Sequence, residues 1–505
     1  MSFDHLLAGA ALVFEPRVLG VMLIASFFGL FVGATPGLTA TMAVALLVPV
    51  TFFMDPAASL AAIIAVSAMA IFAGDIPSAL LRIPGTPASA AYTDDAFLLT
   101  RRGRIDLGLG VNLVTSVLGG VFGAIVLMLA APMLADVALR FSTYEYLFLA
   151  LLGLACAVIV ARGDALKGTV SMVLGLILST VGIDVVLGFP RLTFGFTELL
   201  SGINIVPALV GVFAISELCR KLAHLDSPAP EILDAGGKLL GGVWSVVWKF
   251  RLNFIRGSAI GTLIGALPGA GADIAAWISY AVSKKFSKNA ANYGNGEVEG
   301  LVDAGSANNA ALGGAWVPAL VFGIPGDTIT AILIGVLFMK GLNPGPTIFE
   351  RTPELVSSIY IAFIVANLLM LPLGILAIRA GRLILAVPTT FLYPMILMAC
   401  IVGSFAVSNS AFDVGLMLVL GLAAWVLEEN GFPMAPLILG LVLGKLIEEN
   451  FVGSLIKADG ALAPFFARPV AAVLGVVTIA VWLAPPLLWL LRRRTERPVN
   501  VSSPP

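Results

Sequence analysis

Long apolar stretches separated by short polar loops follow one another along almost the whole chain. A helix needs about 20 predominantly apolar residues to cross the hydrocarbon core of a bilayer. When short stretches are allowed to be re-entrant, the apolar runs supply about 10 to 14 membrane segments by that length criterion. The pattern therefore predicts an all-α polytopic membrane protein, with no room for a soluble domain between the segments.

Pro-Gly pairs interrupt several of these apolar stretches. Proline cannot donate to the helix hydrogen-bond ladder and glycine loosens the following turn, so a helix is expected to break at such a pair. Two similar motifs, Gly33-Ala-Thr-Pro-Gly-Leu-Thr39 and Gly265-Ala-Leu-Pro-Gly-Ala-Gly271, are each predicted to join two half-helices. Backbone groups freed inside hydrocarbon must be buried in protein or line a wet cavity. One such break in each half of the chain points to a transporter binding site at mid-membrane.

Charge placement around the second motif predicts a hairpin. Its arms, Phe254–Leu267 and Ala270–Ser283, would each reach about 21 Å against a hydrocarbon core of about 30 Å, so neither arm spans alone. The outer ends of both arms carry basic residues, which are Lys249, Arg251, Arg256, Lys284, Lys285 and Lys288. Basic flanks favour the cytoplasmic face, so the hairpin would enter and leave there. The alternative is a single helix kinked at Pro268.

The first half shows the opposite charge placement. The flanks of its first motif are weakly charged, with Arg17 and Asp55, which suits an external face. The basic run Arg101-Arg-Gly-Arg104 follows the second break of the first half, whereas only Lys340 follows the matching break of the second half. Broken or re-entrant elements with opposite charge placement in the two halves predict an inverted internal repeat.

The loops divide the chain into five parts. Trp244 and Trp248 interleave with basic residues between the halves, a pattern typical of an amphipathic helix at a headgroup surface. The basic tail is predicted to be cytoplasmic. The parts are an N-terminal interfacial segment (1–17), a first transmembrane repeat (18–219), a basic amphipathic linker (220–253), a second transmembrane repeat with the C-terminal helices (254–491) and the cytoplasmic tail (492–505).

Composition supports a membrane protein and narrows the possible partners. Of 505 residues, 59% are hydrophobic and 12% are charged, whereas soluble domains average roughly 25% charged residues. The net charge of −1 does not indicate a partner, because the charges are unevenly distributed along the loops; from the apolar composition we expect the lipid bilayer, and no nucleic acid, as a partner. The three cysteines, Cys156, Cys219 and Cys400, have no metal-like spacing. We therefore expect no metal site and no cofactor.

Several motifs recur in an order that resembles a known family. The resemblance, over roughly residues 15–490, is to the large membrane (permease) subunit of the tripartite tricarboxylate transporters. The second-half motifs are Gly265 to Gly271, Gly294-Asn-Gly-Glu-Val-Glu-Gly300, Ala307-Asn-Asn-Ala310, Phe322-Gly-Ile-Pro-Gly326, Gly341-Leu-Asn-Pro-Gly-Pro346 and Ala435-Pro-Leu-Ile-Leu-Gly440. Those of the first half are Gly33-Ala-Thr-Pro-Gly37, Arg82-Ile-Pro-Gly-Thr-Pro-Ala-Ser89, and Asp95 ahead of Arg101.

The resemblance implies a binding-protein-dependent symporter of the bacterial inner (cytoplasmic) membrane, with the C-terminus in the cytoplasm. Its partners would be a small membrane subunit and a periplasmic substrate-binding protein that delivers a tricarboxylate or related organic acid. Transport would be secondary and driven by an Na⁺ or H⁺ gradient. The lack of a Walker-type Gly-x-x-x-x-Gly-Lys-Ser/Thr sequence agrees with this.

A carboxylate inside the membrane needs donors and positive potential, which the N-terminus of a half-helix supplies. The residues at the breaks and two buried amides are therefore the candidate substrate ligands. Alternatively, the glycines allow close helix packing, the hydroxyls bond to their own helices, and the asparagines cap a helix. The substrate-binding candidates are Thr35, Pro36, Gly37, Thr39, Arg82, Pro84, Gly85, Thr86, Pro268, Gly269, Asn308, Asn309, Pro325 and Gly326.

Acidic residues in apolar surroundings are candidates for ion coupling, because charges inside a membrane are costly and usually functional. The candidates are the acids Asp75, Asp273 and Asp327, together with Thr328, which follows Asp327 in the chain. Asp75 lies seven residues before Arg82, on the same helical face if the helix is continuous. A structural ion pair between them is then the alternative to substrate binding by Arg82. Asp327 stands where the family usually has a small hydroxyl residue. Three explanations of such an additional acid are open. It binds the coupling cation, it lies away from the transport pathway, or the substrate is less anionic than citrate.

Two other classes of protein compete with a transporter. An intramembrane enzyme would use Asp75, Asp273 or Asp327, but the chain has no His-Glu-x-x-His or Gly-x-Ser-x-Gly motif, so no enzyme is predicted. A channel would also contain membrane helices around a polar pathway. Accumulation of the solute against its gradient would distinguish a transporter from a channel, because a pore cannot concentrate its solute.

Overall fold

The computed structural model describes residues 3–36, 38–160, 165–184, 188–223, 239–385 and 389–495, and within them the fold is almost entirely helical. Five helical stretches are long and apolar enough to cross a membrane, and seven shorter apolar helices of 10–17 residues accompany them in this described part of the chain. The five are Pro16–Ala34, Pro56–Leu81, Asp106–Ala138, Pro353–Arg379 and Ala411–Glu429. The prediction of an all-α polytopic membrane protein is thus confirmed.

The first half contains helices α1 to α11 and one short hairpin. The helices are α1 (Phe3–Val13), α2 (Pro16–Ala34), α3 (Ala40–Thr51), α4 (Pro56–Ala73), α5 (Asp75–Leu81), α6 (Thr93–Arg101), α7 (Val111–Ala138), α8 (Thr143–Val160), α9 (Ala165–Ser179), α10 (Ile205–Val210) and α11 (Ser216–Ala223). Strands β1 (Gly182–Ile183) and β2 (Pro190–Arg191) pair antiparallel. Single π-helical turns precede α7 and α11.

The second half contains helices α12 to α23. They are α12 (Val243–Lys249), α13 (Arg251–Gly265), α14 (Gly271–Phe286), α15 (Val298–Phe322), α16 (Thr328–Met339), α17 (Ile348–Arg351), α18 (Pro353–Arg379), α19 (Gly381–Leu385), α20 (Thr389–Ser408), α21 (Ala411–Glu429), α22 (Met434–Lys457) and α23 (Pro469–Thr495). Short α12 carries the exposed Trp244 and Trp248 of the predicted linker. Residues 224–238 of that linker lie outside the described part.

The first Pro-Gly motif separates α2 from α3. Helix α3 begins with Thr39 as N-cap, whose side chain accepts a hydrogen bond from the Met42 amide at 3.1 Å. At the opposite end of this pair, Arg17 lies 3.6 Å from Asp55. Lys340 donates from its ammonium to the Phe52 carbonyl oxygen at 3.0 Å at the same end. The open end of the α2–α3 element therefore meets the C-terminal end of α16.

The second Pro-Gly motif separates α13 from α14, and the two arms lie side by side on α15. The Gly257 position in α13 packs against the Asp303 carbonyl, to which the Ser279 hydroxyl of α14 also donates at 3.0 Å. Arms that leave and return beside one residue of α15 form a hairpin, not a single kinked helix. Asp95 of α6 accepts hydrogen bonds from the Gly294 and Gly296 amides beyond the open end.

Each half contains a second element that reverses within the protein. After α5 the chain turns at Arg82, which has φ 59°, and the Gly85 amide then donates to the Gly74 carbonyl at 3.1 Å. After α15 it turns at Gly323, with φ 67°, and Gly326 returns to pack on Ala315. Each returning segment therefore packs back against the helical stretch that precedes it, at the α4–α5 junction in the first half and on α15 in the second.

Candidate functional site

The broken elements of both halves meet around one cavity of about 510 Å³. Three of its walls are helix N-termini, those of α3, α14 and α16. The returning segment after α5 and Asn308 of α15 complete this side. The lining residues of these elements are Thr39, Ala40, Thr41, Thr86, Pro87, Gly269, Ala270, Gly271, Ala272, Asp273, Ile274, Asn308, Asp327, Thr328 and Ile329.

Hydrogen bonds between the halves hold the broken elements together at the cavity. The Thr41 and Thr328 hydroxyls are 2.8 Å apart, which joins the starts of α3 and α16. The Ala88 amide donates to the Asp273 carboxylate at 3.2 Å, and the Trp277 indole donates to the Pro87 carbonyl at 3.0 Å. These bonds connect α14 of the second half to the returning segment of the first. The cavity is therefore shared by both halves.

Helix geometry supplies donors to this space. The first amides of a helix have no intrahelical acceptor, and the helix dipole adds positive potential at the same end. Helix α3 directs its first turn, with Ala40 and Thr41, toward the cavity, and α16 does the same with Thr328 and Ile329. The arrangement suits an anionic or strongly polar ligand.

The opposite wall comes from helices outside the Pro-Gly motifs. Glu217 and Arg220 of α11 line it and form an ion pair, and Glu428 lies 4.0 Å from Arg220. The remaining residues of this wall are Phe213, Ser216, Pro433, Met434 and Ala435. The sequence does not single out this wall, because its residues lie away from the Pro-Gly breaks. Glu217 falls at the end of the predicted first transmembrane repeat, and Arg220 falls at the start of the predicted linker. The π-helical turn Gly211–Ile215 before α11 is not visible in an apolar pattern.

The predicted substrate ligands divide into lining and supporting residues. Thr39, Thr86, Gly269 and Asn308 line the cavity. The other candidates are not among its lining residues, and Gly37 lies outside the described part. These supporting residues are Thr35, Pro36, Arg82, Pro84, Gly85, Pro268, Asn309, Pro325 and Gly326.

Several supporting residues have visible structural roles. The Thr35 hydroxyl bonds back to the Phe31 carbonyl at 2.8 Å, as the alternative reading anticipated. Gly85 packs so closely on Gly74 that a side chain at this position would overlap the Gly74 backbone. The Asn309 amide donates to the Met370 sulfur at 3.4 Å. These three residues do not line the cavity, and their contacts stabilise the helices and segments that form its walls.

The ion pair between Asp75 and Arg82 does not form. Helix α5 ends at Leu81, and Arg82 adopts a left-handed conformation that turns its side chain outward. It donates to Asp94 at 2.8 Å, and its side chain is 61% exposed. Asp75 is fully buried and accepts from the Tyr92 hydroxyl at 2.7 Å instead. The predicted ion pair fails because Asp75 and Arg82 share a helical face only if the helix continues to Arg82, and α5 ends at Leu81.

The ion-coupling candidates Asp273, Asp327 and Thr328 all line the cavity. Asp327 is also the N-cap of α16, and its carboxylate accepts from the Thr330 amide at 2.8 Å in a reciprocal capping box. Asp273 lies in the first turn of α14. Each carboxylate therefore sits where a helix dipole stabilises negative charge. No group of three or more His, Cys, Asp or Glu residues suited to a metal ion occurs in the described ranges.

A multi-pass α-helical protein whose broken helices surround a polar cavity has the architecture of a membrane transporter. The chain belongs to the tripartite tricarboxylate transporter TctA family, which matches residues 19–439. The resemblance found in the sequence is thereby confirmed. The chain is accordingly a membrane component of a tripartite tricarboxylate transporter.

Two similar proteins come from Agrobacterium vitis. An "uncharacterized 52.8 kDa protein in TAR-I ttuC' 3'region" is 34% identical over 482 residues, which cover 94% of this chain and 95% of that protein. An "uncharacterized protein in TAR-II ttuC' 3'region" is 36% identical over 215 residues, which cover 42% of this chain and 89% of that protein. No solved structure matches the chain.

Proposed function

We propose that this chain is the large membrane subunit of a secondary transporter that imports an organic carboxylate. A periplasmic binding protein delivers the substrate, a small membrane subunit completes the complex, and an ion gradient drives uptake across the bacterial inner membrane. The C-terminus lies in the cytoplasm. The observation that carries the proposal is the meeting of three helix N-termini from two halves of the chain at one cavity.

The carboxylate binds at the starts of α3 and α16. Amides of the first turns donate to its oxygens, and the hydroxyls of Thr39, Thr41 and Thr328 add neutral donors. The two elements come from different halves, so a bound substrate bridges them. This placement allows a movement of one half against the other to transfer the site between the two water phases.

The charge balance of the cavity favours a carboxylate of low charge. Asp273, Asp327, Glu217 and Glu428 line it, with Arg220 as its basic lining residue. A polycarboxylate would face several like charges at short range, whereas a mono- or dicarboxylate accompanied by a cation is tolerated. We therefore expect mono- and dicarboxylates to be better substrates than trianions such as citrate.

The arrangement of the hairpins favours an inverted repeat. The open end of α2–α3 contacts Lys340, whereas the open end of α13–α14 faces α6, which ends at Arg101. Arg102 packs beside Gly296 at this second end. Matching elements that open toward opposite ends of the molecule are what a two-fold axis in the membrane plane produces. We assign the end with Arg101–Arg104 to the cytoplasm, because basic loops favour that face.

Reconstitution tests the function. The chain, its small membrane subunit and its cognate binding protein are placed in liposomes with an imposed Na⁺ or H⁺ gradient, and uptake of radiolabelled mono-, di- and tricarboxylates is measured. Accumulation above the external concentration, abolished by an ionophore that collapses the gradient, supports the proposal. A lack of gradient-dependent uptake for every carboxylate contradicts it. Equilibration without accumulation identifies a channel instead.

A further inference from the structure

A chain of buried polar groups lies directly behind the cavity wall formed by Asn308. The Asn308 amide nitrogen is 3.3 Å from the Tyr92 hydroxyl, and that hydroxyl donates to Asp75 Oδ1 at 2.7 Å. Asp75 is 0% exposed, and Asn308 and Tyr92 are each 1% exposed. Asn112 of α7 approaches the same Tyr92 hydroxyl. Asn308 therefore belongs both to the cavity and to this buried cluster.

Several polar atoms of the cluster have no partner. Within the part of the chain that the structure describes, Asp75 Oδ2, Asn308 Oδ1 and both side-chain polar atoms of Asn112, Oδ1 and Nδ2, have no hydrogen-bond partner. Across the same ranges no Lys, Arg or His forms an ion pair with Asp75, and Arg82 is bound to Asp94 instead. Buried polar atoms without a partner are rare in native proteins, so each requires an explanation.

Electrostatics restricts what occupies this place. A buried carboxylate without a counter-charge costs several kcal/mol even after relaxation of the protein, so Asp75 needs a positive partner. A single proton on Oδ2 would neutralise Asp75 but would donate to only one of the two asparagine oxygens. A metal cation accepts several oxygen ligands at once. Asp75 is the one acid among the described residues that form this cluster, so a monovalent cation balances the charge and a divalent one does not.

We propose that Asp75, Asn308 and Asn112 bind a monovalent metal cation beside the carboxylate cavity, and Na⁺ is the ion with which we test it. Tyr92 positions the carboxylate by its hydrogen bond to Oδ1. The inference rests on the proposed function, for which it identifies the place where the coupling ion binds. The ion adds positive charge next to the cavity and fixes Asn308 in its wall, so ion and carboxylate each favour binding of the other.

Ion binding can be measured without any transport. The full-length protein is purified in detergent, and its thermal unfolding is followed by tryptophan fluorescence while NaCl replaces choline chloride at constant ionic strength and pH. We expect the unfolding midpoint to rise with Na⁺ and to saturate, because a ligand that binds only the folded state stabilises it. Asp75→Asn should abolish this response.

Two further variants keep the test decisive. Tyr92→Phe removes the hydroxyl that orients Asp75 and should raise the half-saturating Na⁺ concentration by about tenfold, as for the loss of other outer-shell partners. This variant reports on the site even if Asp75→Asn does not fold. Ser26→Ala is the control, since it removes a buried hydroxyl elsewhere, in α2, that has no hydrogen-bond partner, and it should leave the Na⁺ response unchanged.

Three results would overturn the cation site. They are a wild-type midpoint that does not respond to Na⁺, an undiminished response in both Asp75→Asn and Tyr92→Phe, and a midpoint that depends on pH alone, which indicates a proton instead. The assay contains no carboxylate and no partner protein. Na⁺ binding that persists while reconstituted uptake fails would therefore refute the proposed function and leave the cation site intact.

Discussion

Asp327 has two opposing effects on the cavity. Its carboxylate accepts from the Thr330 amide and from the Thr330 hydroxyl, at 2.8 and 2.7 Å, and so holds the first turn of α16 in place. It also brings a negative charge to a wall that we assign to an anionic substrate. The cap needs only an acceptor oxygen, whereas the repulsion needs the charge, so substitutions can separate the two effects.

Asp327→Asn should keep the cap and remove the charge. We expect an unfolding midpoint close to wild type, and a KM for the transported carboxylate that falls twofold to tenfold, equivalent to roughly 0.4–1.4 kcal/mol. Asp327→Ala loses the cap as well and should lose about 0.5–2 kcal/mol of stability. Thermal unfolding and reconstituted uptake measure the two quantities. A higher KM in Asp327→Asn would show that the negative charge itself assists uptake.

Arg82→Ala should have little effect on either quantity. Arg82 forms an exposed ion pair with Asp94 outside the cavity, and such pairs contribute about 0–1 kcal/mol. Arg256→Ala is the contrasting variant, because Arg256 lies 2.6 Å from the fully buried Asp303 and removing one partner of a buried pair costs about 3–5 kcal/mol. A tenfold rise in KM for Arg82→Ala would instead return Arg82 to the substrate site.

Sequence reasoning located the residues that lie next to the Pro-Gly breaks. Thr39, Thr86 and Gly269 reach the cavity because a broken helix must direct its free amides toward a polar space. Arg82 was harder to place, since the end of α5 at Leu81 depends on one left-handed residue that the apolar pattern does not reveal. Glu217 comes from a regular helix whose approach to the cavity is decided by tertiary packing alone.

Helix packing explains why glycine recurs along α13. Gly257, Gly261 and Gly265 lie one turn apart on the face that contacts α15, and a Cβ at any of them would overlap a carbonyl oxygen of that helix. Small residues allow two backbones to approach closely where no hydrophobic effect acts between helices in lipid. The sequence predicted the hairpin from charge and arm length, but it could not identify the partner of this glycine face.

Gly261→Ala should destabilise the protein strongly, because its Cβ meets the Ala307 backbone. Overpacking of this kind costs about 1–3 kcal/mol, so we expect a lower unfolding midpoint and less protein in the membrane. Gly20→Ala in α2 is the matched control, since a Cβ there has no neighbour within 4 Å. It should be neutral or more stable by up to about 1 kcal/mol. Equal effects of the two substitutions would contradict this account of the interface.

A second cavity of about 650 Å³ occupies another part of the molecule. The two cavities share helices, since α16 supplies Thr328 to the first and Phe338 to the second, at opposite ends of one helix. The second is closed on one side by the β1–β2 hairpin, where Arg191 binds Glu448 through two hydrogen bonds of 2.7 and 3.0 Å. These bonds raise the pKa of Arg191. A helix shared by both cavities would link them in the proposed movement of one half against the other.

The proposed inverted repeat leads to a prediction about the whole molecule. Phe53 and Lys285 are exposed residues at the open ends of the first and second hairpins. In a variant with Cys156, Cys219 and Cys400 changed to Ala, Phe53→Cys should react with a membrane-impermeant maleimide added to spheroplasts. Lys285→Cys should react only after the membrane is permeabilised, because the positive-inside rule places its basic loop in the cytoplasm. Two hairpins related by a two-fold axis in the membrane plane must open to opposite water phases. Labelling of Phe53→Cys and Lys285→Cys from the same side would therefore contradict the inverted repeat.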